Sequence, residues 1–382
     1  MVRLGLITTI LLLSLLALFN APTYHLWLAA VAITEFPLIF VGITFILILS
    51  VTITRRFKSL GTFLGIVALI IFSTPIARAY LIADNLGIEM DEAFKSSPVT
   101  SSNYKFNFWK LASREPDLSS YQTLKYIKIQ HMDLTLDYYQ SDSAGLRPCI
   151  VVIHGGSWSS GNSQQLPELN TRLARLGYNV ASVNYRKASQ WKSPAPLDDV
   201  KNALSYLNKN ADKLHIDTTS IILLGRSAGS QIALLAAYTL KNKDIKGVID
   251  FYGPADMIWG YSVPANPWVM NSQRVMENYL GGTYKQVPEN YKSSSPLNYV
   301  SKNSVPTLMI HGKNDVLVSY QHSIHLQKKL NDLGIPNYLL SLPWGTHGLD
   351  YTLNGPSGQL STNAIEIFLK KLFSEQSTVR QQ

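Results

Sequence analysis

Cysteine is almost absent from the sequence. Among 382 residues only Cys149 is a cysteine, and it lies in a strongly apolar segment. A single thiol excludes a disulfide within the chain, and it also excludes a metal site built from several cysteines. The fold therefore has to be held together without a covalent cross-link inside the chain.

The formal net charge is +9, but no predicted helix of the large domain carries a cluster of basic residues. Residues 1–99 contribute only +1 to this charge, so the remaining +8 belongs to the large part of the chain that follows. The basic residues there are scattered and not interleaved with stacking aromatics, which argues against a nucleic-acid-binding protein. A basic surface that faces an anionic lipid leaflet or an acidic envelope polymer agrees with this distribution.

Long stretches of the sequence near the amino terminus contain no charged residue. Three apolar stretches occupy residues 4–18, 36–53 and 60–76. The second is about long enough to cross a hydrocarbon core of roughly 30 Å as a helix. The first also resembles a signal peptide, but a poor cleavage site and two further apolar stretches follow it. We therefore predict about three transmembrane helices within residues 1–84 and a multi-pass membrane location.

Basic residues beside these stretches predict the orientation. Arg55, Arg56 and Lys58 lie between the second and third stretches, whereas the loop after the first has neither lysine nor arginine. Since such residues tend to stay in the cytoplasm, three crossings would place everything after about residue 80 outside it. Glu35 is expected at the outer membrane interface rather than in a functional role inside the membrane.

The chain changes character after the apolar region. Residues 85–120 are polar and irregular, which is typical of a linker. Strand-like and helix-like segments then alternate through residues 121–376, and this pattern predicts a mostly parallel sheet with helices on both faces. Residues 255–299 are irregular and rich in Tyr, Trp, Asn, Pro and Ser. We interpret them as a cap over the functional site, although a plain surface loop would have a similar composition.

A serine between two glycines stands where an apolar, strand-like run meets a helix-like run. Residues 225–229 read GRSAG and match the pattern G-x-S-x-G. In this pattern the glycines allow a sharp turn that exposes the serine, and the amide of the next residue helps to bind an oxyanion. Ser227 is therefore the candidate nucleophile and Ala228 a candidate oxyanion donor, although the short motif alone fits a structural turn equally well.

Two adjacent glycines end the apolar run that contains Cys149. Residues 154–158 read HGGSW, and a main chain that turns at Gly155 and Gly156 can point N–H groups at a developing negative charge. A tight turn without function would have the same sequence. The position of this motif ahead of the serine favours an oxyanion hole, with His154 ordering the loop.

A serine hydroxyl needs a base to take its proton and a third group to orient that base. Asp315 follows one predicted strand and His347 follows the next, in the order serine, acid, histidine. Their spacing leaves room for one intervening helix and strand. We therefore predict a triad of Ser227, His347 and Asp315. Other histidines of the region lie in a buried strand or on the helix after Asp315 and fit less well: His311, His322 and His325.

Several motifs together resemble the α/β-hydrolase superfamily. HGGSW, NYRKA, GRSAG, FYGPAD, VPTLMIHGKND and WGTHG occur in this order between about residues 121 and 373. The nearest resemblance is to the esterase/lipase branch, which includes hormone-sensitive-lipase-like carboxylesterases, feruloyl-esterase-like domains, kynurenine formamidases and isoprenylcysteine methylesterases. The resemblance implies an α/β-hydrolase fold and an oxyanion hole made of the Gly155, Gly156 and Ala228 amides. It also implies that Trp158 packs near the substrate pocket.

Two positions depart from the pattern of this branch. Ser157 stands where lipase-like members have a third glycine, which is similar to feruloyl-esterase-like and formamidase members and points away from lipases of bulky acyl groups. Arg226 stands where many members carry an acid. It could place a positive charge at the mouth of the substrate pocket or pair with an acid such as Asp198 or Asp199, and we favour the pairing.

These features predict a membrane-anchored serine carboxylesterase whose catalytic domain faces outside the cytoplasm. The expected substrate is a short-acyl or otherwise small ester, or an acyl group on an envelope polymer, and no metal or organic cofactor is needed. Amide cleavage of the formamidase kind would use the same residues and stays open. A membrane scaffold or sensor without catalysis is the alternative from another class, but no triad member is missing.

Overall fold

The computed structural model describes residues 2–50, 58–94, 104–115 and 117–379. Its strands are β1 (Gln122–Ile129), β2 (Met132–Tyr139), β3 (Arg147–Ile153), β4 (Asn179–Val183), β5 (Ile216–Arg226), β6 (Ile245–Phe251), β7 (Thr307–Gly312) and β8 (Asn337–Leu342). Its helices are α1 (Val2–Ser14), α2 (Tyr24–Glu35), α3 (Pro37–Leu49), α4 (Lys58–Phe94), α5 (Pro167–Arg175), α6 (Ala195–Lys209), α7 (Ala228–Thr239), α8 (Met257–Ser262), α9 (Ser272–Leu280), α10 (Pro288–Ser293), α11 (Gln321–Asp332) and α12 (Pro356–Val379).

All eight strands form one sheet in the order β1-β2-β4-β3-β5-β6-β7-β8. β2 is antiparallel to β1 and β4, and the other neighbours are parallel, which confirms the predicted mostly parallel sheet. The register sets Ile153 beside Gly225, Arg226 beside Phe251, and Phe251 beside Ile310. The carboxyl ends of the central strands therefore lie together, and the loops that follow them meet at one edge.

The central strand β3 contributes side chains to both apolar clusters of the core. Its continuous apolar run is buried on both faces, as expected for a central parallel strand. Val151 and Ile153 belong to one apolar cluster, which includes side chains of α6, α7 and α11. Ile150 and Val152 belong to the other, which includes side chains of α4, α5 and α12. Side chains that alternate along the strand thus anchor helices on both faces of the sheet.

The N-terminal helices differ from the predicted three membrane spans. Within the described residues, α4 is the one helix that is by itself long and apolar enough to cross a membrane. α2 and α3 meet at 89° and pass that test only as a bent pair, and α1 is too short. Pro37 begins α3 and disfavours helical backbone at Phe36, whose φ of −122° and ψ of 49° end α2. Three transmembrane helices are therefore not confirmed.

Two further expectations concern the apolar region. Arg55 and Arg56, on which the predicted orientation depends, lie outside the described residues. Glu35, expected at a membrane interface, is instead only 2% exposed, and its Oε2 accepts a hydrogen bond from the Ser357 amide at 3.2 Å. The end of α2 is thus packed against the start of α12.

α4 ties the apolar region to the sheet. The predicted boundary at residue 84 falls inside this helix, which continues to Phe94. Leu86 and Met90 are fully buried in the cluster that also holds α12, and Tyr104 is buried there as well. The segments predicted as a membrane region, a linker and a catalytic domain therefore share one core in the described residues.

The segment at residues 255–299 follows β6 and carries three short helices, α8 to α10. Met257, Tyr279 and Tyr291 from this segment are buried in the apolar cluster that covers one face of the sheet. The insertion is therefore packed onto the domain, and it reaches the edge at which the loops of the central strands meet.

Candidate active site

Ser227 occupies a sharp turn between β5 and α7. Its backbone has φ of 52° and ψ of −120°, a conformation that L-residues rarely adopt, and its amide donates to the Phe251 carbonyl at 2.9 Å. A Cβ on Gly229 would lie 2.1 Å from the Ile153 carbonyl oxygen, and one on Gly225 would lie 2.4 Å from Ser230 Cα. Both glycines are therefore required for the close strand–helix packing that exposes the serine.

Ser227, His347 and Asp315 form one hydrogen-bonded chain. His347 Nε2 lies 2.9 Å from Ser227 Oγ, and His347 Nδ1 lies 2.7 Å from Asp315 Oδ2. A carboxylate can only accept, so Nδ1 carries the proton and Nε2 is left to accept from the serine hydroxyl. The residues predicted on three separate loops are thus brought together with the geometry that activates a serine.

The Asp315 carboxylate is held ionised. Burial raises its pKa, but the charge of His347 and hydrogen bonds from His311 and His347 outweigh burial and hold the pKa well below its usual range. His311 Nε2 lies 3.2 Å from Oδ2, and the amides of Leu317 and Val318 donate to Oδ1 at 2.9 Å. Asp315 therefore stays charged and fixed in direction, as a group that orients His347 must be.

The three amides predicted to bind an oxyanion are not equivalent. The Gly155 amide donates to Gln165 Oε1 at 2.6 Å and is therefore used within its own loop, contrary to the prediction for this residue. The hydrogen bonds of the described residues leave the amides of Gly156 and Ala228 unused. Ala228 is the first residue of α7, where an N–H lacks a helical partner. These two amides are thus the better candidates.

The HGGSW loop is ordered by its own side chains. His154 Nδ1 lies 2.6 Å from the Gly155 carbonyl oxygen, and its ring stacks on Tyr185 with centroids 4.3 Å apart. Burial lowers the pKa of His154 to about 4, so the ring is neutral near pH 7. Trp158 stacks on Tyr279 at 4.4 Å and donates from Nε1 to Gln231 at 2.9 Å. Trp158 borders the same cavity as Ser227.

Arg226 is buried beside Ser227 and pairs with an acid that was not predicted. Its Nε donates to Asp350 Oδ2 at 2.6 Å, and the Tyr252 hydroxyl donates to the same carboxylate. The predicted partners were wrong, since Asp199 pairs with Arg186 at 2.8 Å and Asp198 forms no ion pair with Arg226. The centres of the Tyr252 and His347 rings lie 4.5 Å apart, so Tyr252, which is hydrogen-bonded to Asp350, packs against the histidine ring.

Asp350, Tyr252 and Gln165 were missed by reasoning from the sequence. Asp350 stands three residues after His347, and Tyr252 is the first residue after β6. The adjacency of Asp350 to His347 was a usable signal, since it places a second acid on the loop that carries His347. No sequence signal identified Gln165, because its contact with Gly155 depends on how the loop folds back.

Two cavities meet at Ser227. The smaller cavity, about 460 Å³, lies beneath the insertion at residues 255–299 and is bordered by Trp158, Ala228 and Asp315. The larger cavity, about 800 Å³, lies between α2 and the loops that carry Gly156, Arg226 and His347. Trp158 and Arg226, both predicted near the substrate pocket, therefore border different cavities.

His, Cys, Asp and Glu side chains are the usual protein ligands of metal ions. In the part of the chain that the structure describes, no group of three or more His, Cys, Asp or Glu side chains is placed to bind one.

The sheet order, the sharp turn at Ser227 and the adjoining histidine and aspartate define an α/β-hydrolase of the esterase/lipase branch. Residues 132–330 match the model of the BD-FAE family, and the chain belongs to this family. It is similar to Esterase LipC of Mycobacterium tuberculosis, with 27% identity over 59% of this chain and 58% of the relative. It is also similar to the Probable carboxylic ester hydrolase LipM of that organism, with 27% identity over 62% and 57%.

A solved structure shares the fold. A truncated carbohydrate esterase from gut microbiota superposes with a TM-score of 0.56 at 24% identity, covering 68% of this chain and 97% of that one. The chain spans less than two thirds of the length of either Mycobacterium relative. The family model covers residues 132–330, which lie after the N-terminal helices.

Proposed function

We propose that the protein is a serine carboxylic ester hydrolase anchored in a membrane by its N-terminal helices. The observation that carries the proposal is the chain from Ser227 Oγ to His347 Nε2 at 2.9 Å and from His347 Nδ1 to Asp315 Oδ2 at 2.7 Å. Both Mycobacterium relatives are named as ester hydrolases, which supports an ester as the substrate. The apolar α4 and the bent pair α2–α3 support anchoring.

The reaction proceeds through an acyl-enzyme. Ser227 Oγ attacks the ester carbonyl while its proton passes to His347 Nε2, and the amides of Gly156 and Ala228 bind the oxyanion that forms. His347 then gives the proton to the leaving oxygen, the carbon–oxygen bond breaks, and the acyl group stays on Ser227. A water molecule attacks this intermediate in the same way, and the acid leaves. Asp315 stabilises the histidine whenever it is charged.

The acyl group is short, and it is carried by a small-molecule ester or by an envelope polymer. The smaller cavity supports a short acyl group, because the bulky side chains of Trp158 and Met276 border it. The catalytic domain faces outside the cytoplasm, where such polymers lie. Protease protection of the intact membrane-bound chain tests this orientation, and digestion from the cytoplasmic side would contradict it.

Hydrolysis of p-nitrophenyl acetate by the full chain in detergent tests the catalytic proposal. The Ser227→Ala variant is expected to lose at least about a thousandfold in kcat, because no other group can form the acyl-enzyme. Ser205→Ala is the matched control, since this serine is exposed on α6, away from the site. Equal rates for the wild type and Ser227→Ala would end the proposal.

Two further measurements separate the alternatives. A fluorophosphonate that labels the wild type but not Ser227→Ala identifies an activated serine, and failure to label the wild type would favour a scaffold or sensor without catalysis.

Comparison of p-nitrophenyl acetate with p-nitroacetanilide separates an esterase from an amidase. We expect the ester to be cleaved faster, and a preference for the anilide would replace the esterase proposal by an amidase of the same fold.

A further inference from the structure

The larger cavity has an unusual wall, because an N-terminal helix forms it. α2 lies across the catalytic loops, and the cavity of about 800 Å³ between them lies toward the upper end of the ~300–1,000 Å³ range of ligand pockets. Apolar and aromatic side chains line this wall: Tyr24, Trp27, Leu28, Val31, Ala32 and Phe36. The wall therefore offers a hydrocarbon-like surface within reach of Ser227.

Hydrogen bonds fix α2 to the site. Trp27 Nε1 donates to the His347 carbonyl oxygen at 3.0 Å, which joins the helix to the catalytic loop. The Tyr24 amide donates to the Trp268 carbonyl at 3.1 Å, and Asn266 Nδ2 donates to the Pro22 carbonyl at 3.1 Å. These contacts join the first residue of α2 and the segment just before it to the insertion at residues 255–299. The wall is therefore built into the active site rather than resting loosely on it.

Charge inside this cavity is largely neutralised. Arg226 borders it, but its guanidinium pairs with Asp350 and lies 5.6 Å from the centre of the Phe251 ring. Leu317 and Met270 continue the apolar lining on the far side of Ser227. A charged or strongly hydrated substituent would lose its water against the side chains of Leu28, Val31 and Phe36, which offer no hydrogen bond in return. A hydrocarbon group would gain from the same burial.

The position of His347 decides which half of the ester enters which cavity. The leaving oxygen must receive its proton from His347 Nε2, so the alcohol half extends toward that ring. Among the described residues, His347 borders the larger cavity and is not among those that border the smaller one. The acyl half is then left to the smaller cavity, where Trp158 and Ala228 lie.

We propose that the alcohol half of the substrate is a long hydrocarbon group held against α2, so that the substrate is a short-acyl ester of a lipid-like alcohol. This inference rests on the proposed function and names its substrate class. Transfer of the His347 proton to the alkoxide oxygen, as the carbon–oxygen bond breaks, leaves the short acyl group on Ser227. The free long-chain alcohol remains in the larger cavity until it departs.

Two ester series test the inference on the full chain in detergent. One series holds acetate constant and lengthens the alcohol from ethanol to decanol; the other holds ethanol constant and lengthens the acid from acetate to decanoate. We expect kcat/KM to rise about fourfold per methylene in the first series until the chain fills the cavity, and to fall beyond short acids in the second. An equal rise in both series, or a rise in the acid series alone, would overturn the inference.

A variant that fills the cavity locates the effect. Ala32→Trp is expected to lower the ratio of kcat/KM for decyl acetate to that for ethyl acetate by tenfold or more. His25→Trp is the matched control, because His25 is exposed on the same helix and does not border the cavity, and its ratio should not change. A ratio that Ala32→Trp leaves unchanged would contradict the inference.

The outcomes separate this inference from the function on which it rests. Fluorophosphonate labelling of Ser227 in Ala32→Trp, at the wild-type rate, shows that this variant has folded. If Ala32→Trp is not labelled, inhibition of the wild type by 1-decanol is measured instead of the variant. We then expect 1-decanol, but not decanoate, to compete with the ester substrate. Hydrolysis that depends on Ser227 but shows no preference for long alcohols would overturn only the inference. An absence of any Ser227-dependent ester cleavage would overturn the proposed function as well.

Discussion

At the scale of single residues, hydrogen bonds hold the Asp315 carboxylate in one orientation toward His347. Both of its oxygens accept hydrogen bonds, and the one that faces His347 also lies 3.2 Å from His311 Nε2. The side chain of Asn has only one acceptor oxygen. If in Asp315→Asn that oxygen keeps its bonds from the Leu317 and Val318 amides, the N–H₂ group faces His347 Nδ1. This favours the imidazole tautomer that carries its proton on Nε2, which cannot take the proton of the serine. We expect kcat to fall by about a thousandfold to ten-thousandfold with the fold retained.

Ester hydrolysis together with thermal unfolding checks this expectation. Asp332→Asn is the control, because Asp332 lies at the exposed end of α11 and pairs only with Lys328 among the ion pairs of the described residues. A loss of less than tenfold in Asp315→Asn would mean that His347 is oriented by something else.

The pair of Arg226 and Asp350 is a structural element of the site. Both side chains are 2% exposed, so removal of the cation leaves a buried carboxylate without its partner. We expect Arg226→Met to destabilise the fold by about 3–5 kcal/mol. The double variant Arg226→Met with Asp350→Leu should recover most of that loss, because it buries no unpaired charge. Denaturant unfolding measures both, and a double variant as unstable as the single one would show that the charges do not act as a pair.

Asp250 gives the fold a dependence on pH. Burial raises its pKa from 3.8 to about 6, although His311 and the Gly253 amide lower it. A carboxyl with a raised folded-state pKa contributes stability that is complete below 3.8 and is lost as the pH rises through about 6. Asp250→Asn cannot ionise, so the variant should gain about 3 kcal/mol relative to the wild type between about pH 4 and pH 7. Unfolding at several pH values checks the sign, and a constant difference would contradict it.

At the scale of elements, the turn from β5 into α7 depends on how closely the helix approaches β3. A Cβ on Gly229 would lie 2.1 Å from the Ile153 carbonyl and 2.4 Å from the His154 carbonyl, both of them main-chain atoms. Gly229→Ala must therefore move the helix or the strand, and we expect it to abolish fluorophosphonate labelling and to cost about 2 kcal/mol or more.

Gly42→Ala in α3 is the matched control for that substitution. No heavy atom lies within 4 Å of a Cβ built at Gly42, so the change should be neutral or stabilising by up to about 1 kcal/mol. Labelling and unfolding temperature report both variants. A Gly229→Ala variant that labels at the wild-type rate would show that α7 tolerates a shift.

At the scale of the whole molecule, α4 holds the apolar region and the sheet in one core. It packs against α12 and β8, and the Tyr338 hydroxyl donates to Glu89 at 2.6 Å. A chain that begins at residue 58 keeps this helix, whereas one that begins at residue 101 loses it and exposes the surface that Leu86 and Met90 cover. Each of these side chains contributes about 1.5–3 kcal/mol when buried.

We therefore expect the chain from residue 58 to unfold cooperatively in detergent, and the chain from residue 101 to be several kcal/mol less stable and to aggregate. Size-exclusion chromatography and thermal unfolding compare the two. Equal stability would show that the α/β domain does not depend on α4.

Local sequence patterns were enough to predict the sheet and the turn that position the site residues. The alternation of strands and helices predicted the parallel sheet, and GRSAG predicted the turn at Ser227, because both depend on neighbours in the chain. The order of serine, acid and histidine singled out Asp315 and His347, since loops after parallel strands open at the same edge. The same sequence could not predict that the Gly155 amide donates to Gln165, because that contact requires a particular loop conformation.

The sequence by itself determined the chemistry: which residue types are present, in which order, and after which strands. Only the tertiary structure decided the surroundings of that chemistry. Asp350 rather than Asp198 or Asp199 pairs with Arg226, and α2 forms a wall of the larger cavity more than 300 residues before His347 in the chain. Apolar periodicity predicts that a helix buries a face, but it does not specify the partner of that face, because hydrophobic attraction is not directional.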